Sequence, residues 1–190
     1  MRVFICFDLN VRTVNNLVLL QEDLHKPIVE LGGKVRWTPP EDIHLTLKFL
    51  GETDDDMVFQ IRSKLREVAK QHPMVEAETV GTGAFPNAKI PRIIWVGTGK
   101  GADAIVTLQQ DIETALEKLG IQKDDRPFKP HVTIGRIKTQ KQRVNLESII
   151  LPHADKQYGV SLAKDFALYR SVLHPRGAIY QVIERFPLMG

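Results

Sequence analysis

Apolar positions along the chain fall into segments of two periods. Residues 2–8 are a short apolar run bounded by Arg2 and Asp8, which predicts a buried strand. Val14, Leu17, Val18, Leu24, Ile28 and Leu31 then recur at intervals of three, four and seven, the stripe of an amphipathic helix. Asp8 or Asn10 is its candidate cap, Gly32-Gly33 its stop, and Pro27 a place for a kink or break. Short strands are predicted at Val35–Trp37 and, after the turn Thr38-Pro39-Pro40, at Ile43–Leu50. Thr53 and three aspartates precede Val58, Ile61, Leu65 and Val68. Carboxylates belong at the positive end of a helix, so the triple Asp reads as a capped helix start and not as a metal site.

Strands are further expected over 74–82 and 92–98, joined through Phe85-Pro86-Asn87. A third helix carries Ile105, Leu108, Ile112, Ala115, Leu116 and Leu119 on one face and ends at Gly120. The pair Gly99 and Gly101 lacks the rest of any nucleotide-binding fingerprint and reads as a turn. Pro127 and Pro130 lead into a strand Val132–Ile137, and a short helix is expected over Val144–Ile150. Phe166–Leu173 and Ala178–Phe186 form a hairpin about His174-Pro175-Arg176-Gly177. Seven or eight strands with three or four helices make an α+β or α/β chain, and 190 residues suit one domain.

Composition narrows this only slightly. A net charge of +3 permits an anionic partner such as RNA without demanding one. Cys6, the sole cysteine, lies in the apolar run and reads as a core residue of a chain in a reducing compartment. The first ten residues are interrupted by Asp8 and Asn10, and no run approaches the ~20 apolar residues of a spanning helix, so a soluble cytoplasmic protein is expected.

Two of the six histidines occupy matching contexts: Ile43-His44-Leu45-Thr46-Leu47-Lys48-Phe49 and Pro130-His131-Val132-Thr133-Ile134-Gly135-Arg136. Strand alternation puts His44, Thr46 and Lys48 on one face and Ile43, Leu45, Leu47 and Phe49 on the other; likewise His131 and Thr133 share a face against Val132 and Ile134. One His-x-Thr strand is an ordinary solvated face. Two, each preceded by proline, each followed by a basic residue and each preceded by a helix, suggest two lobes about an approximate two-fold axis that meet at one cleft.

Two imidazoles with ordinary pKa values near ~6.5 can act as a neutral base and a charged acid. In-line displacement at a phosphodiester needs this pair: one group activates the nucleophile and the other protonates the departing oxygen. Thr46, Thr133, Arg136 and Lys48 can donate to the non-bridging oxygens. A metal is the rival use for paired histidines. Both tripeptides lack carboxylate or thiol partners, and threonine is a poor zinc ligand, so no metal or other cofactor is expected. A serine hydrolase is disfavoured by the absence of a Gly-x-Ser-x-Gly elbow.

These motifs, with Arg2-Val3-Phe4-Ile5, Trp37, Phe85-Pro86, Pro91-Arg92-Ile93-Ile94-Trp95-Val96-Gly97, Pro127-Phe128-Lys129-Pro130-His131, Leu168-Tyr169-Arg170-Ser171 and Pro175 to Tyr180, resemble the RNA 2′,3′-cyclic phosphodiesterases, also called 2′–5′ RNA ligases, of the 2H phosphoesterase superfamily. The resemblance implies a single bilobal α+β domain over 1–190, with two antiparallel sheets lining a central cleft and flanking helices in pseudo-two-fold arrangement. It implies hydrolysis of terminal 2′,3′-cyclic phosphates to 2′-phosphates, with His44 the proton donor, His131 the acceptor, and Thr46, Thr133 and Arg136 on the phosphate.

Phe128 is a candidate base-stacking platform or a packing plug, Trp37 and Trp95 core or cleft wall, and Arg126 and Lys129 candidate contacts to the RNA backbone. The expected partner is RNA with 2′,3′-cyclic phosphate ends, tRNA halves among them, acted on by a monomer with no membrane attachment. Two other readings stay open: a cyclic phosphodiesterase of small nucleotides, and an RNA-end-binding or tRNA-half-joining protein.

Overall fold

The computed structural model describes residues 1–138, 144–174 and 177–190, so the expected turn at Pro175-Arg176 lies outside the described residues. Among the described residues, nine strands form one antiparallel sheet: β1 (Arg2–Asp8), β2 (Val35–Trp37), β3 (His44–Glu52), β4 (Val75–Phe85), β5 (Ile93–Thr98), β6 (His131–Ile137), β7 (Gln157–Ala163), β8 (Asp165–His174) and β9 (Gly177–Pro187). Their spatial order is β7-β4-β5-β6-β3-β1-β8-β9, with β2 also paired to β6. The two expected sheets are thus two four-stranded halves, β7-β4-β5-β6 and β3-β1-β8-β9, fused where β6 meets β3. The recorded partners at that seam are Leu45 and Val132.

The sequence pattern missed β7, whose inward residues are Tyr158, Ser161 and Ala163, whereas Val160 and Leu162 point outward. Its two aliphatic β-formers thus point away from the core, and a polar Ser161 points in, which defeats a periodicity argument. Strand β4 continues three residues beyond the expected end, to Phe85.

Helices α1 (Val11–Glu30), α2 (Asp55–Ala69) and α3 (Ala102–Glu117) bury their stripes against one sheet face in a core shared with Ile5, Leu45, Ile94, Val132 and Leu168. A short α4 (Glu147–Ile150) covers part of the expected 144–150 helix. Asn10, not Asp8, caps α1, its side chain accepting from Thr13 N at 2.8 Å, and the helix runs through Pro27 without ending. Asp54 caps α2, accepting from Met57 N at 2.7 Å, as the capping reading of the aspartates requires. Among the described residues, no helix is long and apolar enough to cross a membrane.

A bulge follows the threonine of each motif. Ile5 pairs with Lys48 and Cys6 with Thr46, leaving Leu47 as an extra residue; Ile94 pairs with Gly135 and Trp95 with Thr133, leaving Ile134 extra. Each bulge shifts the alternation by one. The Ile134 carbonyl accepts from Thr38 N at 3.0 Å and from the buried Gln21 Nε2 of α1 at 2.9 Å, so the carbonyl of the bulged residue has two donors.

The first bulge overturns the expected position of Lys48. Instead of sharing a face with His44 and Thr46, Lys48 turns to the helix side and is 2% exposed, while Phe49 is 67% exposed on the opposite face. Lys48 Nζ donates to Glu113 Oε2 of α3 at 2.7 Å and to the Gln122 carbonyl at 3.1 Å, with Asp124 Oδ1 at 3.5 Å. Glu113 also accepts from Gln109 Nε2 at 2.9 Å. Lys48 therefore ties α3 and the segment that follows it to β3, and does not reach a phosphate in the cleft.

Removing one member of such a pair leaves the other charge buried, which costs about 3–5 kcal/mol. Lys48→Met should lose stability of that order in urea unfolding, and adding Glu113→Leu should restore most of it. An unchanged midpoint for Lys48→Met would refute the buried pair.

Candidate active site

The face opposite the helices carries both motifs. Antiparallel pairing of Leu45 with Val132 sets His44 across from Thr133 and Thr46 across from His131, all four on the face away from Leu45 and Val132. The histidines occupy one diagonal of this square and the threonines the other. Directly opposed Cβ atoms lie about 4.5–5.5 Å apart and diagonal ones about 7–8 Å, a span that accommodates a phosphate between two imidazoles. Beyond each bulge the next residue on this face is Phe49 in the first motif and Arg136 in the second. Arg136 thus remains on the cleft side where Lys48 does not.

His131 is held by backbone: its Nδ1 lies 2.6 Å from the Lys129 carbonyl. A carbonyl only accepts, so the proton of neutral His131 sits on Nδ1 and Nε2 is left with its lone pair. At His44 the Asp42 backbone, again two residues upstream, favours the charged ring. Phe4 stacks on His44 at 5.1 Å between centroids and Tyr180 meets its edge at 5.7 Å. Phe85 meets the edge of His131 at 5.1 Å and Trp95 at 6.3 Å. Gly83 makes room for Trp95, since a Cβ there would overlap the indole ring.

This aromatic packing desolvates both imidazoles. Burial is the main cause that lowers the His44 pKa to about 4, against partial opposition from the Asp8 charge and the Asp42 carbonyl. Burial likewise lowers the pKa of His131, opposed by the Lys129 carbonyl. Both are therefore neutral at neutral pH in the empty cleft, and an anion placed between them favours protonation.

Asp8, opposite His44 in register, belongs to a polar cluster that the sequence reading did not identify. Its carboxylate accepts from Tyr169 Oη at 3.0 Å and Arg185 Nη2 at 2.6 Å, and Arg185 Nη1 reaches Asp165 at 3.0 Å. Alternation of Phe4, Cys6 and Asp8 along β1 was the available signal. Cys6, buried beside Thr46 on this face, has its thiol pKa pushed up, first by burial and then by Asp8.

A cavity of about 770 Å³ opens beside His131, lined by Phe85, Ile93 and the 124–129 segment. Phe128 lies in its wall, half-buried against the core, so it is both packed and presented to the cavity. Trp37 lies on the helix side, its Nε1 donating to His25 Nδ1 at 3.1 Å, whereas Trp95 lines the cleft. Arg126 and Lys129 also border the cavity.

The 2′-5′ RNA ligase superfamily profile matches residues 32–171. The chain belongs to that superfamily. An Aquifex aeolicus protein named RNA 2′,3′-cyclic phosphodiesterase is 32% identical over 87% of this chain and 88% of its own length. An Archaeoglobus fulgidus protein of the same name is 36% identical over 85% and 90%. A Thermus thermophilus crystal structure superposes with a TM-score of 0.81 at 30% identity, covering 99% and 98% of the two chains. Escherichia coli LigT complexed with 3′-AMP shares the fold, with a TM-score of 0.79 at 20% identity over 100% and 98% of the chains. Membership in the 2H phosphoesterases agrees with the twin motifs and with the α+β sheet about a cleft.

In the ligand-free protein, the His44 ring protons should titrate by NMR at about pH 4. Those of His131 should titrate below the ordinary ~6.5 of an exposed imidazole. Either histidine titrating at or above that value would contradict the desolvated, neutral pair.

Proposed function

We propose that the chain hydrolyses 2′,3′-cyclic phosphates at RNA ends to 2′-phosphomonoesters, without a metal, by proton transfer at two histidines. The supporting observation is the diagonal His-Thr square, with the His131 tautomer set by the Lys129 carbonyl two residues upstream. The homologues named RNA 2′,3′-cyclic phosphodiesterase support the substrate class.

In this reading His131 Nε2 takes a proton from water as the water attacks phosphorus. His44, protonated on binding the anion, gives its proton to the departing O3′. The Thr46 and Thr133 hydroxyls and the Arg136 guanidinium donate to the non-bridging oxygens, whose charge grows in the transition state. The 190-residue chain acts as one bilobal domain, a cytoplasmic monomer, on RNA ends such as those of tRNA halves.

The cavity beside His131 favours a second reading of the same centre. At about 770 Å³ it is far larger than a water needs and could admit a nucleoside 5′-hydroxyl as the nucleophile, which would give a 2′–5′ linkage. Supplying 5′-hydroxyl RNA together with the cyclic phosphate separates joining from hydrolysis by product size.

An oligonucleotide ending in a 2′,3′-cyclic phosphate should be opened in the presence of EDTA, and the product should carry a 2′-phosphate. His44→Ala and His131→Ala should each lower kcat by about 10²–10⁴-fold. Activity only with added metal, or full activity in either variant, would defeat the reading. The kcat/KM profile needs one neutral and one charged imidazole, so its optimum lies between two lowered pKa values, on the acid side of 6.5. An optimum above neutrality would contradict this.

A further inference from the structure

The seam that carries the histidines continues past them. Strand β2 takes over from β3 as the partner of β6, pairing Val35 with Ile137, Arg36 with Arg136 and Trp37 with Gly135. Arg136 also pairs with Ile93, which lines the cleft, and Gly135 with the core residue Ile94. Arg36 and Arg136 therefore face the cleft side by side, while Trp37 packs toward α1. One step outward, Lys138 N donates to the Lys34 carbonyl at 2.8 Å, which keeps these two lysines opposed in the same register. Successive rungs on the cleft side are Thr46 with His131, His44 with Thr133, Arg36 with Arg136, and Lys34 with Lys138.

Like charges directly opposed on a sheet repel, and neither arginine is in an ion pair among the described residues. The nearby carboxylate Asp42 feels Arg36, yet its pKa is raised, by burial and by Glu41, and no ion pair forms. Tyr180, which touches His44, feels both guanidiniums, so the pair stands at the edge of the reacting centre. Arg136 is already assigned to the reacting phosphate. Arg36 and the lysine rung have no assignment in that chemistry.

We infer that the Arg36 rung is a second anion site, which holds the internucleotide phosphate on the 5′ side of the terminal nucleoside, with Lys34 and Lys138 continuing the track for a single-stranded RNA backbone. The inference rests on the cyclic phosphodiesterase reading and adds that the site measures chain length. At about 3.3 Å per residue, the Arg36 rung lies roughly 7–10 Å along the seam from the His44 rung, so a phosphate seated over the rung belongs to a neighbouring nucleotide. Arg136, which acts on Tyr180 more strongly than Arg36 does, is the one of the pair assigned to the reacting phosphate. A guanidinium forks onto two phosphate oxygens, which a lysine at this position would not do.

The test compares a mononucleoside 2′,3′-cyclic phosphate with the dinucleotide that carries the same terminal base, the latter with a normal or a neutral methylphosphonate linkage. Wild type should prefer the normal dinucleotide. Arg36→Gln should cost the normal dinucleotide about 10–100-fold more in kcat/KM than it costs the mononucleotide, mainly through KM. Neutralising the linkage should cost wild type a similar amount and should add little to the loss in Arg36→Gln, because both remove one contact. The slope of log kcat/KM against log salt on the dinucleotide should flatten by about 0.7, one single-strand phosphate contact. Arg36→Lys should recover part of the loss. Equal losses on both substrates, additive effects of variant and linkage, or no loss at all would overturn the inference. Wild type inert on every cyclic phosphate would instead overturn the hydrolase reading itself.

Discussion

The pairing of Leu45 with Val132 joins the two halves of the sheet, and the placement of every group in the cleft depends on it. Antiparallel strands in that register set each histidine across from the other motif's threonine. The approximate two-fold axis passes through the pair. A slip of one residue by either strand would send its histidine into the helix-side core and its apolar residue into the cleft. Register is specified because Leu45 and Val132, each 1% exposed, are held in the apolar layer under α1, α2 and α3.

The same face supplies the electrostatic character of the site. Phe4, Tyr180, Phe85 and Trp95 surround the imidazoles with rings and remove water, so the empty site favours two neutral histidines. Asp8 leans against this at His44, and its charge is itself held between Tyr169 and Arg185. Asp8 offsets only part of the burial, since the His44 pKa still falls to about 4, so a proton on His44 depends on the anion bound beside it. The symmetric tripeptides do not distinguish donor from acceptor.

The sequence made the strand faces legible only as far as the threonines. His44, Thr46, His131 and Thr133 converge as alternation predicts, because each tripeptide lies in regular strand. The bulge at Leu47 has no local signal and that at Ile134 only the neighbouring Gly135, and the two decide which way the later residues of each motif face. They turn Lys48 into a buried tie to Glu113 and bring Phe49 and Arg136 to the cleft. Arg36 was illegible for another reason: its importance depends on a partner a hundred positions away. β7 escaped notice because Val160 and Leu162 face outward at the sheet edge while Ser161 faces inward, and Pro175-Arg176 lies outside the described residues.

The central claim is that one phosphate is held between two histidines on opposite sides of the reacting bond, so that water enters against His131 as O3′ leaves toward His44. The stereochemistry at phosphorus tests this most directly. Hydrolysis of a single diastereomer of a 2′,3′-cyclic phosphorothioate RNA end in ¹⁸O-labelled water should give a 2′-phosphorothioate with inverted configuration, as one in-line displacement requires. Retention, the mark of two displacements through a phosphorylated side chain, would contradict the account.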